Sequence, residues 1–241
     1  MKIAIIGNSH CGAWRRAWEK LASQFPSIDL TFFAARGGMI NALSLKDQCL
    51  VPHTESLREV IKYTSGGFEK IDPALFDLFL VCGLQKQVVA SYDRPEYSQG
   101  VYNRMVLDQF QASPAHQVLK KLRAITSKPI YFTPAPLRAY PPKKRPLARS
   151  TYEDQTVLLQ ETFLTPLETI IFPQPHETIV DEVATDPRFS QNSSRLETGR
   201  SNNDGSLHRD NDIIHMNASF GELALRAFLD RVRLVPSGTL T

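Results

Sequence analysis

Ile3-Ala4-Ile5-Ile6-Gly7-Asn8-Ser9-His10 is the stretch of sequence that decides the fold. Four consecutive apolar residues ended by a glycine are typical of a central strand that is buried on both faces of a parallel sheet. Apolar residues then recur at helical spacing, with Trp14 and Trp18 on one side and Arg15 on the other. A buried strand that passes directly into an amphipathic helix predicts an α/β fold.

Four further segments have the apolar composition of strands. They span residues 28–33, 78–82, 129–132 and 168–172. Helical patterns lie over residues 102–126, 151–167 and 218–232. Between the second and third strands, the pattern predicts a short hairpin near residues 43–51 and a helix over 55–63. Strands that alternate with helices predict a three-layer α/β/α sandwich of flavodoxin-like arrangement, with a central parallel sheet of about five strands.

The sequence contains no internal repeat and no sign of a second domain, so we expect residues 1–241 to form a single domain. Apolar periodicity disappears between about residues 181 and 211, where Ser, Asn, Asp, Arg and Gly predominate. A loop of this length in a compact domain is usually either a functional lid or disordered. The sequence leaves both interpretations open.

Composition and charge argue against several classes of protein. The net charge of +3 is small and dispersed, which disfavours a nucleic-acid binder. Cys11, Cys49 and Cys82 are an odd set without metal-ligand spacing, which disfavours a disulfide framework and a zinc site. The first apolar run is too short for a signal peptide, and no later run approaches membrane-spanning length. We therefore expect a cytoplasmic protein that binds neither membranes nor nucleic acid.

Ser9 stands where the first strand passes into the first helix. Ligands of open parallel sheets bind beyond the carboxyl ends of the strands, and the unpaired N–H groups of a helix N-terminus can stabilise a developing oxyanion there. Serine needs an adjacent base to act as a nucleophile. Two other interpretations are open: Asn8 or Ser9 could simply cap the helix, or the turn could bind phosphate, although neither phosphate-loop motif is present.

A candidate base lies near the other end of the chain, in Asp212-Ile213-Ile214-His215. Residues three apart in a helical turn share one side, so Asp212 could orient His215. The aspartate would accept the Nδ1–H of the imidazole and leave Nε2 free to take the serine proton. An isolated Asp-x-x-His is common, and the alternative is a surface aspartate with a capping histidine.

The two segments together resemble the SGNH (GDSL-type) hydrolase superfamily. Residues 7–10 resemble its block I in a Gly-Asn-Ser-His variant, and Arg36-Gly37-Gly38 is placed like block II after the second strand. Residues 212–217 resemble block V, with its Asp-x-x-His just before the last helix. Block III differs, because Gly83-Leu84-Gln85-Lys86 stands where the family has Gly-x-Asn-Asp.

The resemblance implies roles for these residues. Ser9 is the expected nucleophile, His215 the base and Asp212 its orienting partner. The implied oxyanion hole consists of the backbone N–H groups of Ser9 and of Gly37 or Gly38, together with the side-chain amide of Gln85. Glutamine also carries an amide donor, but it is one methylene longer than the asparagine of the family.

The resemblance implies a serine-dependent ester hydrolase that needs no metal and no organic cofactor. Its partner would be a small-molecule or saccharide ester, with carbohydrate O-acetyl groups as the expected substrate class. Two alternatives remain. The first is a saccharide O-acyltransferase with the same triad. The second is a catalytically weak binding protein of polysaccharide metabolism that keeps the fold and has lost block III.

Other residues compete for a role. Cys11 could act as the nucleophile, although buried packing is the commoner use of a free cysteine. His10 could line the site or be exposed in the first turn, and the spacing of Trp14 and Trp18 favours core packing. The basic, proline-rich stretch 138–149 could meet an anionic substrate or simply be solvated. Two loop histidines have no evident partner in the sequence and receive no role: His176 and His208.

Overall fold

The computed structural model describes residues 1–85, 98–141 and 151–233. The strands in chain order are β1 (Lys2–Gly7), β2 (Asp29–Ala34), β3 (Leu43–Lys46), β4 (Cys49–Pro52), β5 (Leu78–Cys82), β6 (Ile130–Thr133), β7 (Thr169–Ile171), β8 (Ile179–Val180) and β9 (Ala184–Thr185). The helices are α1 (Cys11–Leu21), α2 (Glu55–Thr64), α3 (Gln99–Gln111), α4 (Pro114–Arg123), α5 (Tyr152–Leu159) and α6 (Ala218–Arg233).

The central sheet has five parallel strands in the order β2-β1-β5-β6-β7. The predicted α/β fold is therefore confirmed, and the strand order is the one expected of a flavodoxin-like sheet. Gly7 at the end of β1 is in register with Ala34 of β2 and with Cys82 of β5. The residues that follow these three strands consequently meet at one edge of the sheet.

Alternate residues of β1 face two helical layers. Ile3 and Ile5 belong to a core shared with α1 and α6, whereas Ala4 and Ile6 face a second core formed with α2, α4 and α5. Trp14 is buried in the first core, with its ring edge-on to Phe172 and Phe228. The first strand is buried on both faces, as its continuous apolar run predicts.

The predicted single helix over residues 102–126 is wrong, since the structure has two helices, α3 and α4, in its place. The break falls at Ser113-Pro114. The Ser113 hydroxyl accepts the N–H of His116, and Pro114 occupies the first turn of α4, where its missing N–H costs nothing. A serine followed by a proline is a helix-start signal, and here it outweighs the continuous apolar periodicity.

The predicted helix over residues 151–167 is α-helical only to Leu159. It continues as a π-helical turn over Gln160–Leu164 and a 3₁₀ turn over Thr165–Leu167. The Gln160 side chain accepts the N–H of Ile171 and donates to the carbonyl oxygen of Thr169, so it joins the irregular turn to β7. The predicted hairpin at residues 43–51 is confirmed as the antiparallel pair β3 and β4.

The polar segment over residues 181–211 contains β9 and a series of turns. Ser194 and Leu207 form an antiparallel bridge within it, and Leu196 packs against Gly12 at the start of α1. Most of the basic stretch 138–149 lies outside the described residues. Among the residues that are described, no helix is both long and apolar enough to cross a lipid bilayer.

Candidate active site

The turn after β1 is held by Asn8. Its side-chain oxygen accepts the N–H of His10 at 3.1 Å, and its Nδ2 donates to the carbonyl oxygen of Gly83 at 2.6 Å. Asn8 therefore ties this turn to the turn after β5. Neither Asn8 nor Ser9 caps α1, because the N-cap position is His10 and no side chain caps the helix there. Ser9 points elsewhere, toward the segment before α6.

The structure brings Ser9, His215 and Asp212 together. Ser9 Oγ lies 3.0 Å from His215 Nε2, and His215 Nδ1 lies 2.9 Å from Asp212 Oδ2. The serine and the histidine are 206 positions apart in sequence. The contact depends on the sheet topology, because the turn after β1 and the loop before α6 both lie at the carboxyl edge of the strands.

Asp212 is fixed by several donors. Its Oδ1 accepts the backbone N–H of Ile214 at 2.8 Å and that of His215 at 2.9 Å, while Oδ2 faces the imidazole of His215. Partial burial favours the neutral acid, but the hydrogen bonds from His215 and Ile214 outweigh it and lower the pKa of Asp212. Asp212 is therefore a carboxylate at neutral pH.

The charge of Asp212 sets the tautomer of His215. A carboxylate can only accept hydrogen bonds, so Nδ1 of His215 must carry the proton. In the neutral ring Nε2 is then an acceptor, directed at the Ser9 hydroxyl. This hydrogen-bonding pattern is the one required for transfer of the serine proton to the imidazole.

A second histidine, missed in the sequence analysis, shares the same carboxylate. His208 Nδ1 lies 3.2 Å from Asp212 Oδ2, and its ring stacks on that of His215 with centroids 3.9 Å apart and planes 8° apart. Burial, and then the proximity of His215, lower the pKa of His208 to about 4. The available signal was the spacing of four between His208 and Asp212, which places both on one side of a helical turn.

His10 lies on another side of His215, with ring centroids 5.5 Å apart. Burial, and then the proximity of His215, lower its pKa to about 3. Its Nδ1 is buried and has no hydrogen-bond partner in residues 1–85, 98–141 and 151–233. His10 is therefore a half-buried neutral imidazole that lines the site, and the alternative of an exposed first-turn residue is wrong.

The predicted oxyanion-hole residues follow three adjacent strands. Gly37 has a φ of +60°, a conformation that favours glycine, and Gly38 follows it before a 3₁₀ turn. Gln85 follows β5 and is only 4% exposed, and its Oε1 is buried without a hydrogen-bond partner among the described residues. It lines a cavity of about 20 Å³ together with residues after β6 and of α5, including Tyr152. Donation from Gln85 to an oxyanion stays a prediction.

Arg36, which precedes the two glycines, binds the polar segment 181–211. Its guanidinium donates to the carbonyl oxygen of Leu196 through Nε at 2.8 Å and also through Nη2. Nη2 also contacts Asp204 Oδ1 at 2.6 Å. Asp204 in turn accepts the backbone N–H groups of Thr198 and Gly199. The loop that would supply an oxyanion donor is thus joined to the segment that carries His208.

Cys11 is buried beneath the site. A hydrogen bond with Cys82, followed by burial, raises the pKa of the Cys11 thiol. A raised pKa keeps the thiol protonated and unreactive. The expectation that Cys11 packs in the core is confirmed.

Among the described residues, one group brings metal-ligand atoms close together: His208, Asp212 and His215, within 4.8 Å of one another. His215 Nδ1 faces the ionised carboxylate and so carries a proton, which a cation bound to that nitrogen would displace. We therefore interpret the group as the hydrogen-bonded pair of Asp212 and His215, with His208 stacked on the His215 ring.

Comparison with known proteins gives weak similarities. No protein-family model and no curated protein sequence matches the chain. The periplasmic domain of a lipopolysaccharide acetyltransferase from Salmonella ser. Paratyphi A is similar over 96% of this chain and 83% of its own, with 8% identity and a TM-score of 0.49. A gut microbial diltiazem-metabolizing enzyme is similar over 95% of this chain and 46% of its own, with 11% identity and a TM-score of 0.48. Similarities this weak carry no argument about function.

Proposed function

We propose that the protein is an SGNH-type serine hydrolase that cleaves carboxylic esters, with carbohydrate O-acetyl groups as the substrate class. The observation that carries this proposal is the chain of contacts from Ser9 Oγ to His215 Nε2 at 3.0 Å and from His215 Nδ1 to Asp212 Oδ2 at 2.9 Å. An ionised aspartate and a histidine of fixed tautomer give the serine its general base.

The reaction has two halves. Ser9 Oγ attacks the acyl carbon while His215 Nε2 takes its proton, and the carbonyl oxygen becomes an oxyanion. Collapse of this intermediate breaks the ester bond, and His215 returns the proton to the departing alcohol. Water then attacks the acyl-enzyme with His215 again as the base, which releases the carboxylic acid and restores Ser9.

The oxyanion would be held by N–H groups at the carboxyl edge of the sheet. The backbone amides of Ser9 and of Gly37 or Gly38 belong to turns that follow neighbouring strands, β1 and β2. Gln85 follows β5 on the other side of β1. Donors held in place by the fold need no reorganisation when the charge develops, which is why such groups accelerate acyl transfer.

The test uses an active-site probe and an acetyl ester. A fluorophosphonate should label Ser9, and Ser9→Ala should lose both the label and the hydrolysis of 4-nitrophenyl acetate. Exposed Ser127→Ala is the matched control and should keep both. Labelling of Cys11, or equal labelling of the Ser9→Ala variant, would contradict the proposal.

Product analysis with an acetylated saccharide then separates the related functions. Release of free acetate supports hydrolysis, whereas acetate recovered on an added sugar acceptor identifies an acyltransferase with the same triad. Absence of labelling and of turnover, combined with saccharide binding, would identify a binding protein instead.

A further inference from the structure

His208 is held in place from two directions. Its backbone N–H donates to the carbonyl oxygen of Ser193 at 2.8 Å, next to the bridge between Ser194 and Leu207. Its side chain is only 10% exposed, and its Nδ1 contacts Asp212 at 3.2 Å. The ring therefore has a fixed position and does not depend on His215 for its orientation.

The Asp212 carboxylate is held at both oxygens. Oδ2 accepts the Nδ1–H of His215, and His208 Nδ1 lies 3.2 Å from the same oxygen. The backbone N–H groups of Ile214 and His215 hold Oδ1. With donors on both oxygens, the carboxylate cannot rotate without losing a hydrogen bond, and Oδ2 stays directed at His215.

The stacked ring acts on His215 as well. With 3.9 Å between centroids and nearly parallel planes, His208 covers one face of the His215 imidazole and excludes water from it. A covered face and a fixed carboxylate together select the ring orientation in which Nε2 meets Ser9. Removal of the stacked ring would open this face and allow other rotamers of His215.

We propose that His208 is a positioning residue of the site, which holds Asp212 and the His215 ring in the orientation for proton transfer from Ser9. This proposal rests on the proposed function. His208 contacts Asp212 and the ring of His215, so it acts through these two members of the triad.

The charged and titratable groups that act on His208 are His215, Asp212, Arg195 and Arg36. Burial, and then the proximity of His215, lower the pKa of His208 to about 4, so its ring is neutral near pH 7. His208 therefore acts on the triad by contact and not by charge.

Three variants separate the two contacts. His208→Phe keeps the stacked ring and loses the polar contact with Asp212, His208→Asn keeps a polar group and loses the ring, and His208→Ala loses both. We expect His208→Ala to lower kcat by about two- to tenfold, on the scale of a pair of stacked aromatic rings. KM should change by less than about twofold, since the role concerns proton transfer more than binding. Exposed His176→Ala is the matched control and should leave kcat unchanged.

An NMR measurement tests the same role without turnover. In ¹⁵N-histidine-labelled Ser9→Ala protein, the His215 Nδ1 proton should exchange slowly with water, and addition of His208→Ala should speed its exchange. If all three His208 variants keep the wild-type kcat and the same slow exchange of the His215 Nδ1 proton, the proposal is overturned. If His208→Ala does not fold, the same measurements of kcat and proton exchange on His208→Phe and His208→Asn test the proposal. Lack of ester turnover in the wild type would count against the proposed function alone, because proton exchange still reports on His208.

Discussion

The side-chain amide of Asn8 donates to the carbonyl oxygen of Gly83 at 2.6 Å and so joins the turn that carries Ser9 to the turn after β5. The approach is close because Gly83 has no side chain. A Cβ built on it would lie 2.8 Å from the Cβ of His10 and 2.9 Å from Asn8 Oδ1. Its φ of +70° also favours glycine.

Gly83→Ala should therefore damage both stability and activity. The left-handed backbone costs about 1–2 kcal/mol for alanine, and the collision with His10 and Asn8 adds about 1–3 kcal/mol of overpacking. Gly37→Ala is the matched control, since φ is +60° there but a Cβ meets nothing within 4 Å. The free energy of unfolding of Gly37→Ala should fall by only about 1–2 kcal/mol. Urea unfolding of both variants measures the difference, and equal losses would show that the close approach to His10 does not matter.

The triad should behave as a unit in kinetics. His215→Ala should lose nearly as much turnover as Ser9→Ala, and the double variant should lose little more, because either change alone removes the activated nucleophile. Asp212→Asn should lower kcat by roughly 10⁴-fold, the scale reported for loss of the correct histidine tautomer. Steady-state kinetics on an acetyl ester measure these losses. Independent, multiplicative effects would contradict the assignment.

The buried histidines should make stability depend on pH. The folded-state pKa is about 3 for His10 and about 4 for His208, against about 6.5 for an unperturbed histidine. Below about pH 6.5 these two histidines bind protons in the unfolded chain, whereas in the folded protein they stay neutral down to a lower pH. Stability is therefore complete above that pH and is lost as the pH falls toward the folded pKa values.

Between the folded and unfolded pKa values, the free energy of unfolding should change by about 1.4 kcal/mol per pH unit for each histidine. Urea unfolding between pH 5 and 7 measures it. His208→Asn should flatten the dependence, whereas His176→Asn, at an exposed position, should not. A stability that is flat over this range in the wild type would mean that both rings accept protons in the folded state.

The five sheet strands could be predicted because each is an apolar run bounded by glycine, proline or charged residues. Their parallel order then brings the turn of Ser9 to the edge where the final loop arrives. The break at Ser113-Pro114 was also present in the sequence, as a capping serine before a proline. The apolar spacing continues across this break and by itself favours one long helix.

The position of His208 could not be predicted in the same way. The segment 181–211 has no apolar periodicity, and its path depends on contacts between distant residues. Arg36 binds Leu196 and Asp204, which lie 160 and 168 positions away. Such contacts come from the whole fold, and a local pattern does not contain them. The spacing of His208 and Asp212 was the one local sign.

The remaining prediction concerns Gln85. If its amide donates to the oxyanion, Gln85→Ala should lower kcat by about 100- to 1000-fold with little change in KM, because the oxyanion exists only near the transition state. Gln85→Asn places a shorter amide at the same position and should keep more activity than Gln85→Ala if an amide donor is what the reaction needs.

A structural effect can be separated from a catalytic one at this position. Gln85→Leu fills a similar volume and removes the buried Oε1, which has no hydrogen-bond partner within the part of the chain that the structure describes, so it should keep or raise stability in urea. It should nevertheless lose kcat as Gln85→Ala does. If Gln85→Leu and Gln85→Ala both keep wild-type kcat while Ser9→Ala is inactive, the oxyanion hole consists of backbone amides without Gln85. In that case the departure from the family's asparagine carries no catalytic cost.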